Sequence, residues 1–409
     1  MYDVIIIGGG AAGLFLAANM AGKNVLLLEG TSRVGRKILI TGAGMCNLTN
    51  NKETASFLTH FASTAQSNFL KPALLNFTTF KTRLWFESRG LALTEREDGK
   101  VFPSCMQAKA VVDLLEHEAT RNKVVTRSDA KVTGISKDMQ SDTYQVSTEH
   151  ERFQAKVVVL STGGMSYATT GSDGSGYALA KMLGHSIVSP TPALVAVTVT
   201  SYPYSSIAGN SIRNSLVEFF HAGEAKRYNQ AMGDMLFTHD GLSGPVILNN
   251  SRDVRKGDRV TASLLPCSNK EELKKSLTEL FSTNPKKQLY TLLKSEGIIT
   301  HLAEQLLHEL SLAKEGTCAN LAKDKRRELI ELLTAYPFDI SGKKGFKTAM
   351  VTSGGITLDE VDRKTMESKI QRGLYFCGEV LDIDGESGGY NLQAAFSTAK
   401  LALDAILKK

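Results

Sequence analysis

The chain has 409 residues, 42% of them hydrophobic and 22% charged, with a formal net charge of +6. That length allows two or three domains, and the composition is that of an ordinary globular protein. No apolar run reaches the ~18 residues of a bilayer-spanning helix, and Met1-Tyr2-Asp3 lacks a basic n-region, so a cytoplasmic protein with no membrane partner is expected. The mild positive charge permits an anionic partner without requiring one. Cys46, Cys105, Cys267, Cys318 and Cys377 are widely scattered and form no C-x-x-C pair. Reduced thiols and no metal site are therefore expected.

An apolar strand, Asp3-Val4-Ile5-Ile6-Ile7, runs into Gly8-Gly9-Gly10-Ala11-Ala12-Gly13. An apolar stretch over 11–21 follows, then Val25-Leu26-Leu27-Leu28 and Glu29. Strand, glycine turn, helix, strand and acid within about 30 residues is the dinucleotide-binding pattern. Gly8 permits the tight turn, Gly10 lets backbone approach a pyrophosphate, and Gly13 lets helix and strand pack closely. Ala12 lies in the same turn. Free N–H groups at the helix start favour phosphate. Glu29 stands where a carboxylate accepts from a ribose diol.

Farther along, 72–89 reads as one helix with Pro72 in its first turn. Ser104-Cys105-Met106-Gln107 resembles a capping box opening a helix through His117. Strands are expected at 123–126, 131–136 (including Val132), 143–147 and 153–160, the first three as a meander and the last back in a parallel sheet. That last strand ends in Thr162-Gly163-Gly164, a second glycine approach. A helix is expected over 174–184. Pro190-Thr191-Pro192 reads as a stiff break and a domain boundary. Residues 193–200, 216–220 and 259–265 read as strands, 269–335 as helical, and 344–356 as strand. A strand over 373–377 runs into Gly378-Glu379, and a helix over 391–407 closes the chain. The expected organisation is α/β. A Rossmann-like domain occupies 1–190 and 351–409, a β module 191–268 and about 336–350, and a helical module 269–335.

The three glycine-bearing strand ends and Glu29, in this order, resemble FAD-binding flavoproteins of the glutathione-reductase-like superfamily. There the late glycine–acid step places an N–H near the pyrophosphate and a carboxylate on the ribityl chain; Glu379 stands where Asp is commoner. The resemblance narrows with the run from Gly35-Arg36-Lys37 through Thr41-Gly42-Ala43-Gly44-Met45-Cys46-Asn47 to Asn50. Phe237-Thr238-His239-Asp240-Gly241-Leu242-Ser243-Gly244-Pro245, Thr352-Ser353-Gly354-Gly355, Thr365-Met366-Glu367-Ser368 and 378–393 extend it. Across nearly the whole chain these blocks resemble the HI0933-like flavoproteins, also called the BaiN or aminoacetone oxidase family. The resemblance implies a split FAD domain with inserted β-barrel-like and helical modules. It departs at Met45, where the family usually has Arg.

Arg36 and Lys37 are cations placed to offset phosphate charge. Gly44, Asn47, Tyr390 and Asn391 join the candidate cofactor residues, the two asparagines as amide contacts to ribityl or ring edges. Gly388-Gly389 before the last helix offers N–H groups to a negative flavin edge. Cys46 and His239 are the candidate catalytic residues, a thiol and an imidazole available for proton transfer. Cys46 has no nearby partner cysteine, which argues against disulfide chemistry. No second G-x-G-x-x-G is present, so NAD(P)H is expected only as a transient reductant. The reaction implied is reduction of a C=C bond in a small molecule. Dihydrouridine synthesis in ribosomal RNA, oxygen-using oxidation of a small amine, and a non-catalytic flavoprotein stand as alternatives.

Overall fold

Strand Tyr2–Ile7 occupies the centre of the main sheet because Val4 to Ile7 are apolar on both faces and at most 3% exposed. In the computed structural model, which describes residues 1–409, this sheet has seven strands. Val25–Leu28 pairs with the central strand in parallel on one side and Arg152–Leu160 on the other. Residues 152–155 of the long strand continue into an antiparallel meander with Thr143–Thr148 and Val132–Asp138. Its last residues, Val158 to Leu160, instead pair in parallel with Leu374–Phe376. One nine-residue strand therefore holds the N-terminal strand along one edge and the late C-terminal strand along the other. That is how a domain split in sequence closes in space.

Two compact units result: Met1–Ala193 with Ala349–Lys409, and Leu194–Thr348. In the second unit, six strands close an antiparallel barrel between Val197–Val199 and Tyr336–Lys343. Four helices from Lys270–Thr283 to Lys323–Ala335 pack on it. Leu277, Phe281, Leu306 and Leu333 share one buried core with Val217, Leu264 and Phe338 of the barrel. The fold class expected from sequence is the one observed.

Several local readings need correction. Residues 72–89 form two helices, Thr64–Asn76 and Thr79–Glu87, with Ser63 and Thr78 as their N-caps. The break is held by the last helix: Gln393 Nε2 and Ser397 Oγ both donate to the Phe77 carbonyl, at 3.1 and 2.7 Å. Pro72 lies inside the first of these helices, and Arg363 donates to the Asn68 carbonyl that Pro72 cannot serve. Ser104 caps nothing; its hydroxyl bonds Thr94, and the helix begins later, as Ala108–Arg121. The strand Val125–Arg127 is not part of the meander but the parallel edge beside Val25–Leu28.

Pro190-Thr191-Pro192 does not interrupt a strand, although the boundary between the units follows directly, between Ala193 and Leu194. It lies within strand Ile187–Ala193, paired with Val351–Ile356 around a bulge between Val188 and Thr191. A two-stranded ribbon leaves an unladdered edge, which tolerates proline. Residues 193–200 and 344–356 each split across the boundary between the units.

Within the first unit, His185 is fully buried and edge-on to Phe376. Its Nδ1 lies 3.0 Å from Glu360 and its Nε2 2.8 Å from Ser368 Oγ, which also accepts N–H groups from Ile370 and Gln371. A neutral imidazole fits, donating to Glu360 and accepting from Ser368. Burial lowers the His185 pKa from 6.5, outweighing the opposite pull of Glu360. The unfolded chain therefore takes up the proton first, so this contribution to stability is full above 6.5 and declines as pH falls towards the lower folded value. Urea midpoints should drop between about pH 7 and about pH 5, and His185→Gln should flatten that slope.

Candidate functional site

A cavity of about 300 Å³ opens where the three glycine-bearing strand ends meet, lined wholly by the first unit. That size is typical of small-molecule sites. Gly8, Gly10 and Ala12 line it from the first turn, Thr162 and Gly163 from the second, and Gly378 and Glu379 from the third. Gly8 has φ +102, and a methyl group on it would sit 2.7 Å from the Ser161 carbonyl, so this turn needs glycine. Gly13 does not line the cavity; its lack of a side chain lets the helix start against the Gly8 carbonyl, 1.9 Å from where a Cβ would be. At Gly10 a methyl group would meet nothing within 4 Å.

Glu29 is tied down by its neighbours. Gly9 N–H donates to Oε2, and the Thr31 N–H and hydroxyl both donate to Oε1, each at 2.8 Å. Around it stands a wall the sequence did not reveal: Lys131, Thr170, Gly171, Ser172 and Asp173 line the cavity with Val132. Lys131 pairs with Asp173 at 2.6 Å.

Of the two expected cations, only one is uncommitted. Lys37 Nζ donates to Glu379 at 2.7 Å and to Ser166 Oγ at 2.8 Å. Arg36, beside it, lines the cavity and makes no ion pair with any carboxylate. Buried hydroxyls of Thr162 and Ser172, both lining the cavity, have no partner within the protein. An open space before Gly10, a spare guanidinium, a carboxylate facing inward and two orphan hydroxyls fit a ligand carrying both phosphate and diol groups. FAD is such a ligand.

The remaining candidates are engaged by bonds and contacts within the protein. Asn391 lines the cavity, yet its amide accepts from Gly385 N and donates to the Gly385 and Glu386 carbonyls, closing its own loop. Asn47, oriented to satisfy its neighbours, accepts from Gly389 N at 3.1 Å and donates to Thr49 and Val101 carbonyls. Gly389, at φ +95, has the Thr49 carbonyl 2.5 Å from where a Cβ would be. Tyr390 stacks on His60 at 4.3 Å. Gly44, Asn47, Gly389 and Tyr390 thus shape the loop rather than the cavity lining. Beside Met45 a cation is present from another residue: Arg96 lies 3.4 Å from its sulfur and over the Phe102 ring.

Cys46 is fully buried, and burial pushes its thiol up to about 12. A thiol so held is a weak acid and a poor nucleophile at neutral pH. His239 is exposed, in the barrel turn between Arg227–Phe237 and Gly241–Ser243. Only Cys105 among the five cysteines is exposed. A thiol reagent should therefore titrate one cysteine quickly in the native protein, and Cys105→Ser should abolish that fast phase.

The sequence description of the HI0933-like protein Rossmann domain matches residues 2–405. The chain belongs to the HI0933-like family. A ribosomal RNA dihydrouridine synthase of Haemophilus influenzae is 32% identical over 402 residues, covering 97% of this chain and 96% of that one. A 3-dehydro-bile acid delta(4,6)-reductase of Clostridium scindens is 33% identical over 415 residues, covering 98% of each. In fold, this HI0933-like chain resembles the 3-ketosteroid delta1-dehydrogenase of Sterolibacterium denitrificans, with TM-score 0.54, 13% identity and full coverage of both chains. The 3-ketosteroid-delta4-(5alpha)-dehydrogenase of Rhodococcus jostii gives TM-score 0.53 at 14% identity, over 100% of this chain and 97% of that one. The HI0933-like chain is an FAD-dependent oxidoreductase. No helix in it is long and apolar enough to cross a membrane.

Proposed function

We propose that the protein reduces a carbon–carbon double bond conjugated to a carbonyl, using NAD(P)H. Overall, a hydride from NAD(P)H reaches the β-carbon, a proton from solvent reaches the α-carbon, and NAD(P)⁺ leaves. FAD, when bound, supplies the two-electron chemistry. One observation carries the reading. Two relatives that align end to end with this chain are named for saturating such a bond in unlike molecules, a uridine and a bile acid. The thiols support it negatively: Cys46 is sealed from solvent and has no partner, which leaves no disulfide to exchange electrons.

In this reading the residues divide the cofactor between them. Glu29 accepts from the adenosine ribose, with Val132 and the 168–173 loop walling that end. The amides at Gly10 to Ala12 and the Arg36 guanidinium meet the pyrophosphate. Thr162 and Ser172 supply hydroxyls. Gly378 and Glu379 hold the flavin side.

A second reading takes the substrate as uridine in ribosomal RNA. Residues 194–348 favour it, with 21 Lys and Arg against 17 Asp and Glu, and so carry +4 of the net +6. Anaerobic spectroscopy separates these possibilities. NADH or NADPH should bleach the flavin band, and a cyclic enone or unmodified ribosomal RNA should restore it. Restoration by RNA alone, weakening steeply with salt, selects the second reading. Bleaching by a small amine with no nicotinamide would replace both with an amine oxidase. A band that no reductant bleaches would leave a non-catalytic flavoprotein.

A further inference from the structure

We propose that Lys37 is a positioning residue: it does not meet the cofactor's phosphates but holds the Glu379 carboxylate in place for the flavin half of FAD. This rests on the reading above, in which Glu379 faces that half.

Three segments far apart in sequence converge on Glu379. Lys37 Nζ donates to Oε2 at 2.7 Å across 342 positions. Ser166 Oγ and the Thr352 N–H each donate to Oε1 at 2.9 Å. The donors are themselves interlocked. Lys37 also donates to Ser166 Oγ, and the N–H groups of Met165 and Ser166 donate to Thr352 Oγ1 at 2.7 and 3.1 Å. Gly164 belongs to the same node. A methyl group there would lie 2.4 Å from Thr352 Oγ1 and 2.9 Å from Glu379 Oε1. Two features of the sequence thereby acquire a physical reason: the second glycine of Gly163-Gly164, and the threonine opening Thr352-Ser353-Gly354-Gly355.

The charge balance points the same way. The cavity is lined by Arg36, Lys37 and Lys131 against Glu29, Asp173 and Glu379. Lys131 is spent on Asp173 and Lys37 on Glu379. An incoming pyrophosphate finds Arg36 free, whereas taking Lys37 would strand a carboxylate that is only 18% exposed. Removing one partner of a half-buried charged pair costs more than the pair itself contributes, because the other charge is left without compensation. Lys37→Met should therefore act through Glu379.

The test measures dissociation constants of FAD and of ADP, which carries the adenosine and both phosphates but no flavin half, on apoprotein of the full chain. Lys37→Met should weaken FAD by about tenfold or more while leaving ADP unchanged. Lys37→Arg keeps a donor cation and should restore most of the affinity. The double variant Lys37→Met with Glu379→Gln carries no stranded charge and should bind FAD no more weakly than Lys37→Met alone. Equal losses for ADP and FAD in Lys37→Met would mean that the ammonium meets the phosphates directly, and would overturn the proposal. So would unchanged FAD affinity, or additive losses in the double variant. Retained ADP binding guards against misfolding as the cause. If the wild-type chain binds ADP but no FAD, it is the cofactor reading itself that fails.

Discussion

Gly10→Val yields a folded protein that no longer takes up FAD. The backbone at Gly10 has φ −81 and ψ −163, an extended conformation open to any residue and favoured by β-branched ones. No heavy atom lies within 4 Å of a Cβ placed there. The Cβ of the valine therefore clashes with nothing, and the fold should lose little. What it fills is the space before the first turn of helix Ala11–Ala17, where no side chain caps the helix and the amides await a partner. Excluding a pyrophosphate from that space should cost on the order of 4 kcal/mol, a thousandfold in affinity. Gly13→Val makes the informative control. Its Cβ would lie 1.9 Å from the Gly8 carbonyl, so the strand–helix turn itself must open. Gly10→Val should purify colourless with a near-native melting temperature, and Gly13→Val should be insoluble or strongly destabilised. A yellow Gly10→Val protein with one flavin per chain would remove the basis for placing the cofactor at this turn.

The contrast between those two glycines also marks what sequence reasoning reaches. Gly8, Gly10, Gly13 and Glu29 lie within one strand–helix–strand unit, where periodicity and spacing decide the geometry locally. Gly378 and Glu379 follow the same logic, because a strand ending in glycine and acid has few places to go in a parallel sheet. The loop at 168–173 has no periodicity. It matters only because Gly171 comes to rest beside Glu29 Oε1 and Thr31, a tertiary fact. Arg36 and Lys37 are neighbours in sequence, but successive helical residues point about 100° apart, so one reaches Glu379 and the other does not. The burial of Cys46 escapes sequence reading for a related reason. Its φ of +60 and the left-handed Gly42 and Ala43 before it turn the thiol into the core, which no spacing rule foretells. The interrupted helix at Phe77 depends on Gln393 and Ser397, more than 300 positions away.

Replacing residues 194–348 by a short turn should leave a chain that still folds and still binds FAD. Ala193 and Val351 are directly opposed partners in the antiparallel ribbon of Ile187–Ala193 and Val351–Ile356. The two cut ends, Ala193 and Ala349, therefore lie at that rung and two residues before it, and a hairpin-length turn can join them. Every residue lining the cavity belongs to the unit that remains. The first unit also keeps its own core, from Val4 and Phe15 to Phe376 and Phe396, with no member from the excised segment. FAD affinity should stay within about tenfold of the full chain, each factor of ten being about 1.4 kcal/mol. Removing only the helices over 270–335 should do worse. Leu277, Phe281, Leu306 and Leu333 belong to the same buried core as Leu264 and Phe338, and stripping them would expose that core to water. Each large apolar side chain so uncovered forfeits about 1.5–3 kcal/mol. The smaller deletion should therefore aggregate while the larger one stays folded, an inversion of the usual ranking by deletion length. Circular dichroism and flavin content of the two proteins, purified side by side, decide it. A helical-deletion chain that melts cooperatively at the wild-type temperature would show that the helices are a detachable layer and that the barrel needs nothing from them.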